Sequence, residues 1–238
     1  MRAAELMIAA LLAASDASAF SVAGELAARG WFMSATGTAD GTDLAKLGFD
    51  DAKGAPEFRG ELVLAERHHL GITYLRIRRD ESAVVSGTIL GIIRFDDPVD
   101  LDVSIDDVRG HYGYSVLASR WLDLQPFLEL AYLHGEVTTK DLFTTSHADK
   151  SIVLPMPGLE LVVAPAFPVH LKARAEGMGV GQGHLVDVQG GAEAQYAFFF
   201  AGLGYRHADL VVNEGGTNGR DLADARLKGL YVEGGWRF

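Results

Sequence analysis

The sequence contains no cysteine, which excludes a disulfide framework and a thiolate metal site and fits an exported chain that folds in an oxidising compartment without covalent staples. Positive charge is also in short supply: 21 Lys and Arg stand against 32 Asp and Glu, for a net charge of −11. A nucleic-acid partner needs a basic face to displace counterions from phosphates, so none is expected. After the N-terminal stretch no segment reaches the ~18 consecutive apolar residues of a membrane helix. Helical periodicity is nearly absent as well. If this chain enters a membrane, it must do so as strands. Glycine is plentiful, at 28 of 238 residues, against a usual ~7%. Glycines scattered through strands mark bends and close backbone approach.

The first residues read as a targeting segment: Arg2, an uncharged run from Leu6 to Ala14, then the small residues Ala17, Ser18 and Ala19. That pattern predicts a signal peptide over 1–19, cleaved after Ala19, with the barrel occupying 20–238. Glu5 and Asp16 depart from it, and the competing reading is a short amphipathic helix packed on a soluble domain.

From residue 22 onward the dominant signal is alternation, which in a strand sends successive side chains to opposite faces. Val169, Leu171, Ala173 and Ala175 oppose His170, Lys172, Arg174 and Glu176. Val186, Val188, Gly190, Ala192, Ala194 and Tyr196 oppose Asp187, Gln189, Gly191, Glu193 and Gln195. At the end of the chain, Leu230, Val232, Gly234, Trp236 and Phe238 oppose Tyr231, Glu233, Gly235 and Arg237. The pattern predicts an all-β, antiparallel up-and-down transmembrane barrel of about ten strands, at 22–38, 55–65, 68–80, 104–118, 123–138, 152–165, 168–179, 184–196, 197–212 and 223–238, although eight or twelve also fit it. Connections alternate between tight links (near Glu66 and Arg67, Ser119 to Leu122, Ala166 and Phe167, and Tyr196) and longer ones at 39–54, 81–103, 139–151 and 213–222, as expected of short periplasmic turns and long outer loops. Val84 to Phe95 is assigned to a hairpin within the second long loop.

Periodicity alone does not say which face meets solvent, so a soluble lipocalin-like barrel is the alternative. Such a barrel needs bulky residues to fill its interior, yet the apolar face is rich in small ones such as Ala173, Ala175, Gly190, Ala192 and Ala194. Lipid tolerates those gaps. Trp31, Phe32, Trp121, Phe198, Phe199, Trp236 and Phe238 are the candidate interfacial girdles.

Three segments carry a resemblance: Thr42 to Asp51 (TDLAKLGFDD) followed by Pro56-Glu57, then His69 to Tyr74 (HLGITY), and finally Ala225 to Phe238 (ARLKGLYVEGGWRF). In these the chain resembles the small outer-membrane β-barrel proteins of Gram-negative bacteria, in which a DLG-type loop follows the first strand and the last strand ends in an aromatic or leucine, Arg and Phe. The resemblance implies export to the bacterial outer membrane, surroundings of lipid and lipopolysaccharide, insertion by the barrel-assembly machinery, and Trp236 and Phe238 as the assembly signal. It carries no catalytic residues to transfer.

The candidate lumen-lining residues are Glu25, Arg29, Arg59, Glu61, Arg109, His111, Glu129, His170, Lys172, Arg174, Glu176, Asp187, Glu193, Arg206, Glu233 and Arg237. They suit either a narrow charge-selective channel or a closed interior in which the charges pair, with Lys172 and Arg174 opposite Asp187 and Glu193. The acidic run Asp96, Asp97, Asp100, Asp102, Asp106 and Asp107 reads as a solvated loop that repels lipopolysaccharide or bridges it through cations. It lacks the spacing of a calcium loop. The eight histidines are dispersed, and no metal or other cofactor is expected. A lipid-modifying enzyme, of lipid A deacylase or acyltransferase type, needs a Ser activated by a His. Ser115 with His111 and Ser146 with His147 are the available pairs, and neither forms a recognisable motif. The glycine-rich Gly177 to Gly183 is expected to be a turn between strands and not a phosphate loop. The expected function is a narrow passive channel or a structural envelope barrel, not an enzyme.

Overall fold

A computed structural model describes residues 21–238 apart from 40–41, 85–86, 90–92, 96–97, 141–144, 181–182 and 214–220. The expected signal peptide lies outside the described residues. Ten long strands follow one another: β1 (Val22–Ala39), β2 (Lys53–Leu64), β3 (His68–Val84), β4 (Pro98–Tyr114), β5 (Leu122–Lys140), β6 (Thr145–Val163), β7 (Val169–Val180), β8 (Gly183–Tyr196), β9 (Phe199–Asn213) and β10 (Asp221–Arg237). Each pairs antiparallel with the next, and β10 returns to β1. The result is the expected ten-stranded closed barrel. Gly87–Ile89 and Ile93–Phe95 form the anticipated side hairpin within the β3–β4 connection.

The register fixes the size of the barrel. From Ala23 the paired residues run through Val63, His69, Gly113, Phe127, Gly158, Glu176, Asp187, Ala208 and Leu227 to Ala35, twelve residues further along β1. For ten strands that stagger gives a tilt of about 40° and a backbone radius of about 10 Å. Long side chains from opposite walls therefore meet near the axis.

Several strand boundaries differ from the sequence expectation, three of them by enough to change the outer loops. β4 begins at Pro98, and β5 and β6 run on to Lys140 and back from Thr145, so the long link at 139–151 shrinks to 141–144. The β6 extension carries polar residues on both faces, as at His147, Asp149 and Lys150, and the β4 extension places Asp100 and Asp102 on one face. They stand in water, where no apolar alternation is needed to hold a strand. The acidic run is accordingly strand rather than loop from Asp100 onward: Asp102 pairs with Arg78 at 3.1 Å, Asp106 accepts from the Tyr74 hydroxyl at 2.6 Å, and Asp107 faces the lumen. Asp96 and Asp97 lie outside the described residues. The glycine-rich segment is mostly strand too, with Gly177 and Gly179 in β7 and Gly183 opening β8.

The short links at one end are tight. Ala65 and Glu66, between β2 and β3, both sit in the left-handed region with φ of 51° and 61°, and Arg67 N donates to Leu64 O at 3.2 Å. At the other end, Asp43 accepts from Ala45 N at 3.0 Å to cap a 3₁₀ turn, Leu44–Leu47, which Gly48 terminates at φ 76°. This loop folds back onto the barrel: Ala35 N donates to Phe49 O, and the buried Arg79 of β3 donates to Asp51 O and Met33 O. Phe238 completes the closure, exchanging backbone hydrogen bonds of 2.7 and 2.9 Å with Gly24.

Candidate functional site: the barrel interior

All sixteen residues expected to line the lumen point inward, and the outer wall carries the apolar side chains, among them Leu26, Ile72, Leu130, Leu171, Leu203 and Leu230. The polarity is inside out compared with a soluble barrel. Two large concavities among the described residues, about 670 and 520 Å³, lie on this outer wall around Gly60, Ile72 and Leu26. Hydrocarbon fills such grooves.

Inside, the charges form a network that crosses the lumen. Arg206 on β9 donates to Asp187 on β8 and, at 2.7 Å, to Glu57 on β2. Arg29 on β1 bonds Glu233 at 2.9 Å, Glu57 at 3.2 Å and Gln189 of β8 at 2.6 Å. Arg109 on β4 bonds Asp107, Glu129, Glu176 and Asp187, reaching the latter two from across the barrel. Arg174 joins Glu129 to Glu176. Nearer the short turns, Glu25 accepts from Arg59 at 2.6 Å and from Arg237 at 2.7 Å. Glu193 gathers Lys172, His170 and Arg237. Of the expected pairing of Lys172 and Arg174 with Asp187 and Glu193, Lys172 meets Glu193, whereas Arg174 turns to Glu129 and Glu176 and Asp187 is taken by Arg206 and Arg109. One void among these side chains, beside Arg29, Glu57, Arg109 and Arg206, is about 20 Å³, room for one water.

Sequence reasoning missed the aromatic half of this arrangement. Four guanidinium groups lie over rings inside the barrel: Arg29 over Tyr231 at 4.1 Å, Arg174 over Phe127 at 4.0 Å, Arg206 over Trp31 at 4.6 Å and Arg237 over Phe200 at 4.6 Å. Trp31 is therefore not a girdle residue but is buried in the lumen, while Phe32, Trp121, Phe198, Phe199, Trp236 and Phe238 are exposed. The signal was available, since Trp31 is two residues from Arg29 and a period of two puts both on one face. Glu57, Asp107, Gln125 and His69 were likewise missed as lining residues.

Towards the long loops the interior turns apolar. Trp31, Met33, Ala55, Leu75, Ile77, Ala208 and Tyr231 form one cluster. Ala131, Met156 and Leu185 form a second, with Leu133, Leu154, Met178 and Leu210 packed against it.

The structure rearranges the expected Ser and His pairs. His111 stacks against Gly71 and Phe127, and Ser115 instead meets His69: Nε2 lies 3.0 Å from Oγ, and Nδ1 lies 2.7 Å from Glu61 Oε1. The connectivity is that of a Ser–His–acid triad, yet Ser115 is fully buried. The side chain of Ser146 lies outside the described residues.

A closed barrel with an apolar outer wall, aromatic residues at its short-turn end and charges sealed within is an outer-membrane β-barrel protein, located in the outer membrane of a bacterium. Neither a protein-family model nor a curated protein matches the sequence. Among solved structures, the outer-membrane protease OmpT of Escherichia coli is similar at 8% identity with a TM-score of 0.51, covering 94% of this chain and 99% of that one. Ail, the attachment invasion locus protein of Yersinia pestis, in complex with the heparin analogue sucrose octasulfate, is similar at 12% identity with a TM-score of 0.45, covering 92% and 99%. At 8% identity the likeness to the protease is one of fold.

Proposed function

We propose that this protein is a structural barrel of the outer envelope: closed along its axis, non-conducting and non-catalytic, with the tall strands β3 to β6 held rigidly above the membrane. The observation that carries this reading is the set of bonds joining opposite walls, Arg206 to Glu57 and Arg109 to Asp187. An ion moving along the axis would have to break several charge-assisted hydrogen bonds at once. The alternative within the same fold is a narrow charge-selective channel. Planar-bilayer recording of the refolded protein separates the two: the expected trace is flat, and regular single-channel steps would establish the channel.

One observation favours a different class, a hydrolase built on Ser115, His69 and Glu61. Its substrate would need a path to a hydroxyl sealed from solvent. A fluorophosphonate probe is expected to leave the folded protein unlabelled, and labelling abolished by Ser115→Ala would overturn the non-catalytic reading. We further propose that the Phe238 terminus is read by the barrel-assembly machinery during insertion.

A further inference from the structure

One seam of the barrel is held by a shorter ladder than the others. β6 and β7 share six pairs, from Val163 with Leu171 up to Gly158 with Glu176, although both strands continue. The cause lies in two prolines. The β5–β6 ladder runs unbroken through Pro155, opposite Leu130, and Pro157, opposite Leu128. A residue without an N–H can hold a place in that ladder only as a non-hydrogen-bonded pair, so its own nitrogen and carbonyl point the other way, towards β7. Continuing the register past Gly158 brings Pro157 to Gly177 and Pro155 to Gly179, the two pairs that would each need the missing donor. The opposing strand offers no side chain to cover the gap: both partners are glycine, and a Cβ on Gly179 would meet nothing within 4 Å.

The height of this seam matters. Gly158 is five residues above the end of β6, which at the tilt of the barrel is about 13 Å along the axis and falls in the outer half of an apolar belt about 25 Å tall. Behind this stretch of wall, Met156 and Met178 come level with each other, facing inward and packed with Leu154, Leu185 and Leu210. Methionine adapts its shape to an occupant better than any other apolar residue. The ionic network lies below.

We propose that the wall between β6 and β7 is a lateral slot, held open by Pro155 and Pro157, that admits one acyl chain of an outer-leaflet lipid into the methionine-lined interior. A hydrocarbon chain is about as wide as one strand spacing, about 4.8 Å. An added peptide strand would find two donors of β6 missing, and a solute carrying charge would face Met156, Met178 and Leu185. The slot opens sideways and is independent of whether the axis conducts.

The chain has no cysteine, so single labels are unambiguous. Met178→Cys, carrying a small bimane fluorophore, is reconstituted in phosphatidylcholine vesicles with brominated acyl chains, beside Leu171→Cys on the outer wall and Thr73→Cys in the ionic layer. The Met178 label is expected to be quenched as the Leu171 label is, with the Thr73 label unquenched. A Met178 label as bright as that at Thr73 overturns the proposal. Adding Pro155→Val and Pro157→Val restores both donors and is expected to abolish quenching at Met178; unchanged quenching in a folded double variant also overturns it. If that variant fails to fold, the comparison of the three labels in the proline-containing protein decides alone.

Discussion

Replacing Arg206 by Met removes one charge while keeping most of the side-chain volume. In the wild-type protein this guanidinium bonds both oxygens of Asp187 and one of Glu57 and covers the Trp31 ring. After substitution neither carboxylate is abandoned entirely, because Asp187 keeps Arg109 and Glu57 keeps Arg29. The expected loss is therefore about 3 kcal/mol, the lower end of the range for breaking a buried pair. With a urea slope of about 2 kcal/mol/M, the unfolding midpoint should fall by about 1.5 M. The assay is urea titration in vesicles of fixed composition, followed by heat-modifiable migration on gels. Glu57→Gln alone and combined with Arg206→Met completes a cycle, in which a coupling of about 1 kcal/mol or more is expected for groups in one network. A loss under about 1 kcal/mol, or strictly additive effects, would refute the claim that the interior is locked across the lumen.

Two further outcomes test local features by the same titration. Ala65 and Glu66 hold left-handed φ values that Asn and Gly adopt more readily, so Ala65→Asn with Glu66→Gly should stabilise the barrel by about 1 kcal/mol; an unchanged midpoint would show that the turn is unstrained. A Cβ on Gly71 would lie 2.0 Å from His111 Cε1, so Gly71→Ala should destabilise by about 1–3 kcal/mol. Adding His111→Ser should recover most of that loss, and failure to do so would place the clash elsewhere.

Strand number, order and facing were legible because period-two alternation survives wherever one face meets lipid and the other meets charge. It fades where that contrast ends. Above the membrane, at Asp149 and Lys150, both faces of the strand are wet, and the sequence reads as loop although the backbone stays paired. In the upper lumen the reverse holds, since Met156, Met178 and Trp31 are apolar on the inward face. Composition there argued for lipid and misplaced Trp31, while its parity with Arg29 was correct. The charged residues were identifiable as a set, but not their partners. Lys172 and Arg174 were expected opposite Asp187 and Glu193, and only the stagger of twelve residues decides that Arg206 and Arg109 reach Asp187 first. The Ser115–His69 contact joins residues 46 apart that no local motif connects.

The long-range bonds of the lumen, across it and along the β1–β10 seam, also constrain how the barrel is made. Arg206 and Glu57 are 149 residues apart in sequence, Arg29 and Glu233 are 204 apart, and Arg237 and Glu25 are 212 apart. None of these can form while the sheet is an open ribbon, and an open ribbon would expose their charges to hydrocarbon at several kcal/mol each. A half-inserted chain therefore has no stable resting place in the bilayer. Insertion and closure must occur as a single cooperative event, with β1 meeting β10 at the moment the charges of the first and last strands neutralise one another.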